Sequence, residues 1–427
     1  MALDIIIVGA GISGLCTAIA LRRAGHRVQI FEKSRFATET GAAVSLAPNG
    51  VLVLEHLGFD FARAQACRHK AWEVMDGLTL KRITLQCLES VASITGSDYH
   101  TVHRVDLHKE LLRLALDTRT DNSSTPPVKI QYDSPIANVD ALNGQVYLGD
   151  GSTHTADLVI AADGIHSTVR GCVVPSDSNT SNKAIETGMS AFRFLLSTET
   201  LMARPEIRDA LRMKTGDSAL LADTSRVDSV QHMIWYGCRG EQVQNFVGIH
   251  LTRQPEKSSG DAKSDMLQEF GHFNLIVPEL INLADDVKCW PLLIHQPLKT
   301  WIYHKVLLIG DAAHAMLPFG GQGANQAIED AGAISILFQD LHSVGDLPAR
   351  LALFEKVRTK RASRIQVLSM VKVGKEREVE EEVMKYMEDG LDVPNTFASR
   401  LVHDSGFNVL ERCAKELEVA RWTNHAL

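Results

Sequence analysis

Residues 3–8 form an unbroken aliphatic run, followed at once by Gly9-Ala10-Gly11-Ile12-Ser13-Gly14. Leu15, Ala18, Ile19 and Leu21 then recur at helical spacing up to Gly25, and Val28-Gln29-Ile30-Phe31 is a second short run that ends in Glu32. Strand, glycine turn, helix and strand within about thirty residues predict a βαβ unit.

Residues 41–58 read as a loop leading into a helix, with Pro48 and Asn49 at its mouth. Weak alternation over 79–97 marks a departure from the first unit, and Arg104-Val105-Asp106-Leu107 opens a helix running to Leu116. Segment 118–127, rich in Thr, Asn, Ser and Pro, reads as an exposed loop. Turn signals at Asn143-Gly144 and Asp150-Gly151 predict a hairpin. Residues 158–162 are then a buried strand ending at Asp163-Gly164. Strand-like runs such as 189–196 and 243–251 dominate the region 183–295 and predict a separate, sheet-rich domain. Residues 306–309 return to parallel-strand character, 325–339 form a long helix of small residues, and the tail from 349 is helical. Its acidic stretch, 376–388, reads as a solvated helix face, and no internal repeat is present.

Length and composition add bounds. With 427 residues, 45% of them hydrophobic, the chain can bury a large core and divides into two or three domains. The net charge of -8 argues against nucleic acid as a partner. Seven dispersed cysteines, without a CxxC pair or a Cys/His cluster, fit reduced thiols in a cytoplasmic protein better than a disulfide framework or a metal site. The apolar start is short and carries Asp4, unlike a signal peptide, and no run is long enough for a membrane span. Asn122-Ser123-Ser124 and Asn179-Thr180-Ser181 match a glycosylation pattern but read as polar loops.

Three segments carry chemistry. Gly9, Gly11 and Gly14 permit a tight turn and bring a helix N-terminus close to a pyrophosphate, while Glu32 stands where a carboxylate accepts from an adenosine ribose. This pattern predicts a dinucleotide without separating FAD from NAD. Residues 156–170, through Asp163-Gly164, read on their own as a core strand and an ordinary turn. In residues 308–325 a strand ends at Gly310-Asp311 and a glycine-rich loop opens a helix at Gly323-Ala324. Asp311 can accept from a ribityl chain, and the helix start can set N–H groups beside a flavin ring, where negative charge develops on reduction. His314 lacks a partner histidine at helical spacing, so it is not a metal ligand.

Together these segments resemble the group A flavoprotein monooxygenases of the salicylate hydroxylase and para-hydroxybenzoate hydroxylase type, over residues 1–370. The resemblance implies an α/β chain with a discontinuous Rossmann-like FAD-binding domain (1–75, 100–180 and 298–370). A β-sheet substrate domain (76–99 and 183–297) and a C-terminal helical region (371–427) complete it. It implies that Gly9, Gly11, Gly14 and Glu32 hold the ADP half of FAD, and that the Asp163 turn serves both FAD and the nicotinamide cofactor. Asp311, Gly323 and Ala324 match the ribityl and ring contacts. Gly41-Ala42-Ala43 matches a small-residue loop against the cofactor, with Ala43 where glycine is commoner. Arg104 matches an arginine near the FAD phosphates; read alone, it is a surface charge at a helix start.

The activity so implied is hydroxylation of a small phenolic substrate with NADPH or NADH and O2, through a flavin C4a-hydroperoxide, in a secondary pathway. Arg193 sits in an otherwise apolar strand, where an unpaired charge is costly unless used. Arg193 and Tyr236 resemble an arginine and tyrosine pair in fungal members that hydroxylate polyketide phenols; a snorkelling arginine and a packed tyrosine are the plainer alternative. His295 stands where the family often has arginine, as an acid/base group or a packed polar residue. An epoxidase or hydroxylase of an indole or terpenoid on this scaffold is the competing enzyme. A non-catalytic flavin-fold binding protein is the competing class. Substrate identity and oligomeric state stay open at this level.

Overall fold

A computed structural model describes residues 1–35, 42–117, 126–174, 182–213, 217–226, 229–254, 256, 258–388 and 390–425. Gly41, most of the loop 118–127 and both glycosylation patterns lie outside the described residues.

The aliphatic runs at 3–8, 158–162 and 306–309 become adjacent strands of one six-stranded sheet. Its order is Ile302–Tyr303, Val306–Leu308, Leu158–Ala161, Asp4–Val8, Arg27–Phe31 and Lys129–Gln131. All neighbours pair in parallel except Ile302–Tyr303 with Val306–Leu308. Parallel strands are covered on both faces, so their sequences read as continuous apolar runs. Helices Ile12–Arg23 and Gly323–Leu337 pack against each other within the same core. Ile136–Asp140, Gln145–Leu148 and Thr153–Thr155 form an antiparallel meander. Its turns place Gly144 at φ +69° and Gly151 at φ +86°, as the Asn-Gly and Asp-Gly signals predict.

The second sheet has seven strands, ordered Lys288–Ile294, Ile185–Ser197, Val243–Leu251, His232–Cys238, Ser218–Ala222, Ala71–Asp76 and Arg82–Cys87. Alternate side chains fall on opposite faces. Phe192, Phe194, Trp235 and Phe246 bury one face with Met266, Phe270, Val277 and Leu280 of helices Ala262–Phe270 and Ile276–Leu283. Ala191, Val247, Ile249, Leu292 and Ile294 on the other face pack with Leu317 and Phe319 of the glycine-rich loop. The second face thus closes over the loop that ends the first sheet.

Three local readings differ from the structure. Residues 43–46 are a strand, Ala43–Leu46, because they pair with Tyr99–His103 in a small third sheet. Ala71–Asp76 pairs in parallel with Ser218–Ala222, so the second sheet begins before residue 76. The acidic stretch is not one solvated face: Glu376 is buried and ion-pairs with Arg400 at 3.4 Å, and the helix Glu380–Met384 is short. No described helix is long and apolar enough to cross a membrane.

Candidate active site

Four neighbouring strands of the first sheet end at Gly9, Glu32, Asp163 and Gly310-Asp311, the carboxyl edge where open α/β sheets bind ligands. Gly9 has φ +100°, and a Cβ on it would stand 2.5 Å from the carbonyl oxygen of Ala162. A Cβ on Gly14 would lie 2.0 Å from the Gly9 oxygen, so this glycine permits helix and turn to touch. At Gly11 a Cβ meets nothing within 4 Å, so packing inside the chain does not require glycine there. Close approach of a phosphate to the helix N-terminus would. Glu32 shapes the same turn: Oε2 accepts from the Ala10 N–H at 2.7 Å, and Oε1 accepts from the Ser34 N–H at 2.8 Å and its hydroxyl at 2.9 Å. A carboxylate offers about four acceptor positions, so Glu32 keeps capacity for a ribose hydroxyl.

Asp163 is occupied by its own turn. It accepts from the Ser167 hydroxyl at 2.6 Å and from the Thr168 and Val169 N–H groups at 2.8 and 3.3 Å. Burial raises its carboxyl pKa against these hydrogen bonds. Arg170 ends that turn, fully buried, and donates from Nη1 to the carbonyl oxygens of Ala312 and Ala313 at 2.8 and 3.2 Å. Burial pulls its pKa down to about 10. The Asp163 segment therefore braces the Asp311 segment. His295 adds a second brace: Nε2–H donates to Ile165 O at 2.8 Å, and its backbone N–H reaches Ala315 O at 3.3 Å. Gln366 Nε2 bridges the carbonyl oxygens of His295 and Ala315 at 2.6 and 3.0 Å. Burial and the nearby Arg170 lower the imidazole pKa, so His295 acts as a neutral clamp.

Gly310 takes φ +57° and gives its N–H to Asp330 Oδ2 at 2.8 Å. Asp330 also accepts from His314 Nε2 at 2.8 Å and Arg358 Nε at 2.9 Å. Glu329 pairs with Arg358 and with Arg361, and takes Asn49 Nδ2 at 2.6 Å. All of these side chains are buried, where charges persist only when paired. Asp311, by contrast, is exposed, and among the described residues nothing donates to its carboxylate. Gly323 and Ala324 open the helix Gly323–Leu337, whose first N–H groups lack intrahelical acceptors. Asn325 ties this start to the neighbouring strand: Oδ1 accepts from the Ala47 N–H at 2.9 Å, and Nδ2 donates to Ser45 O at 3.1 Å and Gly321 O at 2.8 Å. Open Gly11, uncommitted Asp311 and a free helix start fit a flavin dinucleotide lying along this edge.

The second sheet contributes Arg193 and Tyr236. Arg193 pairs with Val247, which pairs with Ile234; Leu195, Asn245 and Tyr236 form the next such row on the same face. The Tyr236 hydroxyl donates to Ala43 O at 2.8 Å, and Asn245 Oδ1 accepts from the Ala43 N–H at 3.2 Å. Both backbone groups of Ala43 are thus held by the second sheet. Asn245 was not apparent in the sequence; its one signal is a polar residue within the apolar run 243–251. Burial raises the Tyr236 pKa, opposed by the charge of Arg193. Arg193 is partly buried, its Nε makes no hydrogen bond, and burial with nearby Arg104 lowers its pKa. Arg104 starts the helix Arg104–Leu116 with an exposed side chain, and its backbone N–H donates to Ala42 O at 2.9 Å. Among the described residues no group of three or more His, Cys, Asp or Glu side chains is placed to hold a metal.

Residues 2–367 match the protein family described as an FAD binding domain. The chain is 31% identical over 416 residues to the FAD-dependent monooxygenase cfoG of Aspergillus candidus, covering 96% of this chain and 94% of that one. It is also 31% identical over 370 residues to hispidin-3-hydroxylase of Neonothopanus nambi, covering 84% and 86%. A salicylate hydroxylase substrate complex shares the fold, with a TM-score of 0.72 at 22% identity over 97% of this chain and 98% of that one.

Proposed function

The chain belongs to the FAD binding domain family of FAD-dependent monooxygenases, and from that premise we propose that it hydroxylates a small phenolic substrate with NADPH or NADH and O2. One observation carries the proposal: Arg193, a half-buried cation that no carboxylate pairs with among the described residues, on a sheet face whose apolar side chains pack against the glycine-rich loop. The name of hispidin-3-hydroxylase supports hydroxylation of a small molecule as the reaction.

Gly9, Gly11, Gly14 and Glu32 would hold the ADP half of FAD, and Asp311, Gly323 and Ala324 its ribityl chain and ring. Bound and reduced, FAD supplies the activation of oxygen; the residues of the chain do the rest. Leu292, Ile294, Leu317 and Phe319 exclude water from the reacting face. Arg193 lowers the pKa of a phenol placed beside it, favouring the electron-rich phenolate. Tyr236 and Asn245 keep Ala43 and its strand against that face. Arg104, whose side chain is exposed, is available to the cofactor phosphates.

We read the first sheet and its helices as the FAD-binding domain, the seven-stranded sheet as the substrate domain and residues 371–427 as a helical annex. Seven free thiols support a cytoplasmic setting. The test is NADPH consumption by the purified, flavin-loaded protein with a panel of phenols. Phenol-stimulated oxidation with a hydroxylated product is the expected result. Bound FAD with no NADPH oxidation for any phenol sinks the reading.

A further inference from the structure

Strand Lys288–Ile294 is one edge of the seven-stranded sheet, and Trp290, Leu292 and Ile294 fall on its flavin-facing side. Leu292 and Ile294 are buried with Leu317 and Phe319, whereas Trp290 keeps 39% of its surface exposed. The apolar wall therefore ends outward in an indole. Trp290 stands opposite Ala191 in the register, and Lys288 opposite Arg193, so Trp290 and Arg193 are diagonal neighbours on one face.

The guanidinium carbon of Arg193 lies 5.9 Å from the centre of the Trp290 ring, within cation–π range. The other charged and titratable groups around Arg193 do not anchor it. Tyr236 gives its hydrogen to Ala43, Arg104 repels it, and Lys288 pairs with Asp286 at 3.2 Å. Among the described residues no carboxylate pairs with Arg193. A long side chain with no carboxylate anchor samples many rotamers, and the indole face restricts them.

We propose that Trp290 is a positioning residue for Arg193: its ring face holds the guanidinium so that the N–H groups meet the phenolic oxygen of the substrate. The inference rests on the phenol reading above. Because the indole is exposed on an edge strand, its removal leaves the buried core intact.

The experiment uses the FAD-loaded enzyme with 4-nitrophenol, whose phenolate is seen by its absorbance. The pKa of the bound probe is read by pH titration in wild type, Arg193→Ala, Trp290→Ala and Trp290→Phe. Wild type is expected to hold the bound probe at least about one pKa unit below the free probe, so that at equal pH the phenolate-to-phenol ratio is about tenfold higher. Trp290→Phe retains most of that shift. Trp290→Ala loses it to the level of Arg193→Ala while flavin content stays at the wild-type value. A wild-type shift in Trp290→Ala overturns the positioning role and leaves the phenol reading standing. A wild type with no shift, matching Arg193→Ala, overturns the use of Arg193 and this inference with it.

Discussion

Tyr236 donates its hydroxyl hydrogen to the carbonyl oxygen of Ala43 at 2.8 Å, across 193 residues of chain. A side chain of the seven-stranded sheet thereby completes the hydrogen bonding of the strand Ala43–Leu46 in the small third sheet. Tyr236 is thus a strut as well as a neighbour of Arg193.

Tyr236→Phe leaves the buried Ala43 oxygen without that donor, at a cost of about 1–3 kcal/mol. The loss falls on the strand Ala43–Leu46, which would line the proposed flavin site. The variant is expected to bind FAD less tightly and to consume NADPH without matching hydroxylated product. Flavin content per chain and the ratio of product to NADPH measure this. Wild-type values for both would show that the strut does not matter.

The glycine turn offers a sharper separation of folding from binding. Gly11 has φ -71° and ψ -173°, which alanine adopts freely, and its Cβ would meet nothing within 4 Å. Gly11→Ala should therefore keep the melting temperature of the flavin-free protein while weakening FAD binding. Gly14→Ala drives a Cβ to 2.0 Å from the Gly9 oxygen and should destabilise the flavin-free protein itself, by about 1–3 kcal/mol or more. Thermal melts with and without added FAD distinguish the two. Unchanged FAD affinity in Gly11→Ala would remove the phosphate from this turn.

These contrasts explain how much was legible in the sequence. Gly9, Glu32, Asp163 and Asp311 are punctuation just past strand ends, and Gly11 and Gly14 stand at the start of the following helix, so local spacing exposes them. Arg193 stood out because a charge interrupts an apolar strand. Asn245 also interrupts an apolar run, but its role, like that of Trp290, depends on a partner from a strand distant in sequence, Ala43 for the one and Arg193 for the other. The strand Ala43–Leu46 has four residues and no alternation of its own; pairing with Tyr99–His103 makes it a strand. Glu376 looks solvated until Arg400, 24 residues on, folds back to neutralise it. Asp163 was legible as a position, but its role as the anchor of a turn that braces Ala312 and Ala313 through Arg170 required the structure.

Asp330→Asn tests the buried ion cluster behind the flavin loop. Asp330 holds Gly310 N–H, His314 and Arg358 at once, with none of these side chains reaching solvent. Removing one charge from such a buried set costs about 3–5 kcal/mol, because the remaining cation loses compensation. The melting temperature should fall, and FAD retention with it, since Gly310 immediately precedes Asp311, the proposed ribityl contact. Surface pairs give a control: Lys385→Ala removes an exposed contact to Glu382 and should change stability by less than about 1 kcal/mol. Equal effects of the two substitutions would refute the buried cluster as the support of the loop.

Stability should also fall on mild acidification, and His232 gives the reason. It is buried on strand His232–Cys238, donates from Nδ1 to Val230 O at 2.8 Å, and meets the ring of Phe319 from the glycine-rich loop at 5.7 Å. Burial, reinforced by Lys372, lowers its pKa to about 4. The unfolded chain, with an ordinary histidine pKa, binds a proton that the folded chain refuses between pH ~6.5 and ~4. Stability is therefore full above pH ~6.5 and is lost as pH falls toward ~4, by roughly 3 kcal/mol at most from this group. His26, His100, His103, His250 and His295 are lowered by burial too and add in the same direction. His232→Asn keeps an N–H donor for Val230 and removes the titration. Its melting temperature should drop less between pH 7 and pH 5 than that of the wild type. Because His232 touches the loop through Phe319, flavin release on acidification should be reduced as well. Parallel pH profiles for variant and wild type would place the acid sensitivity in the other histidines.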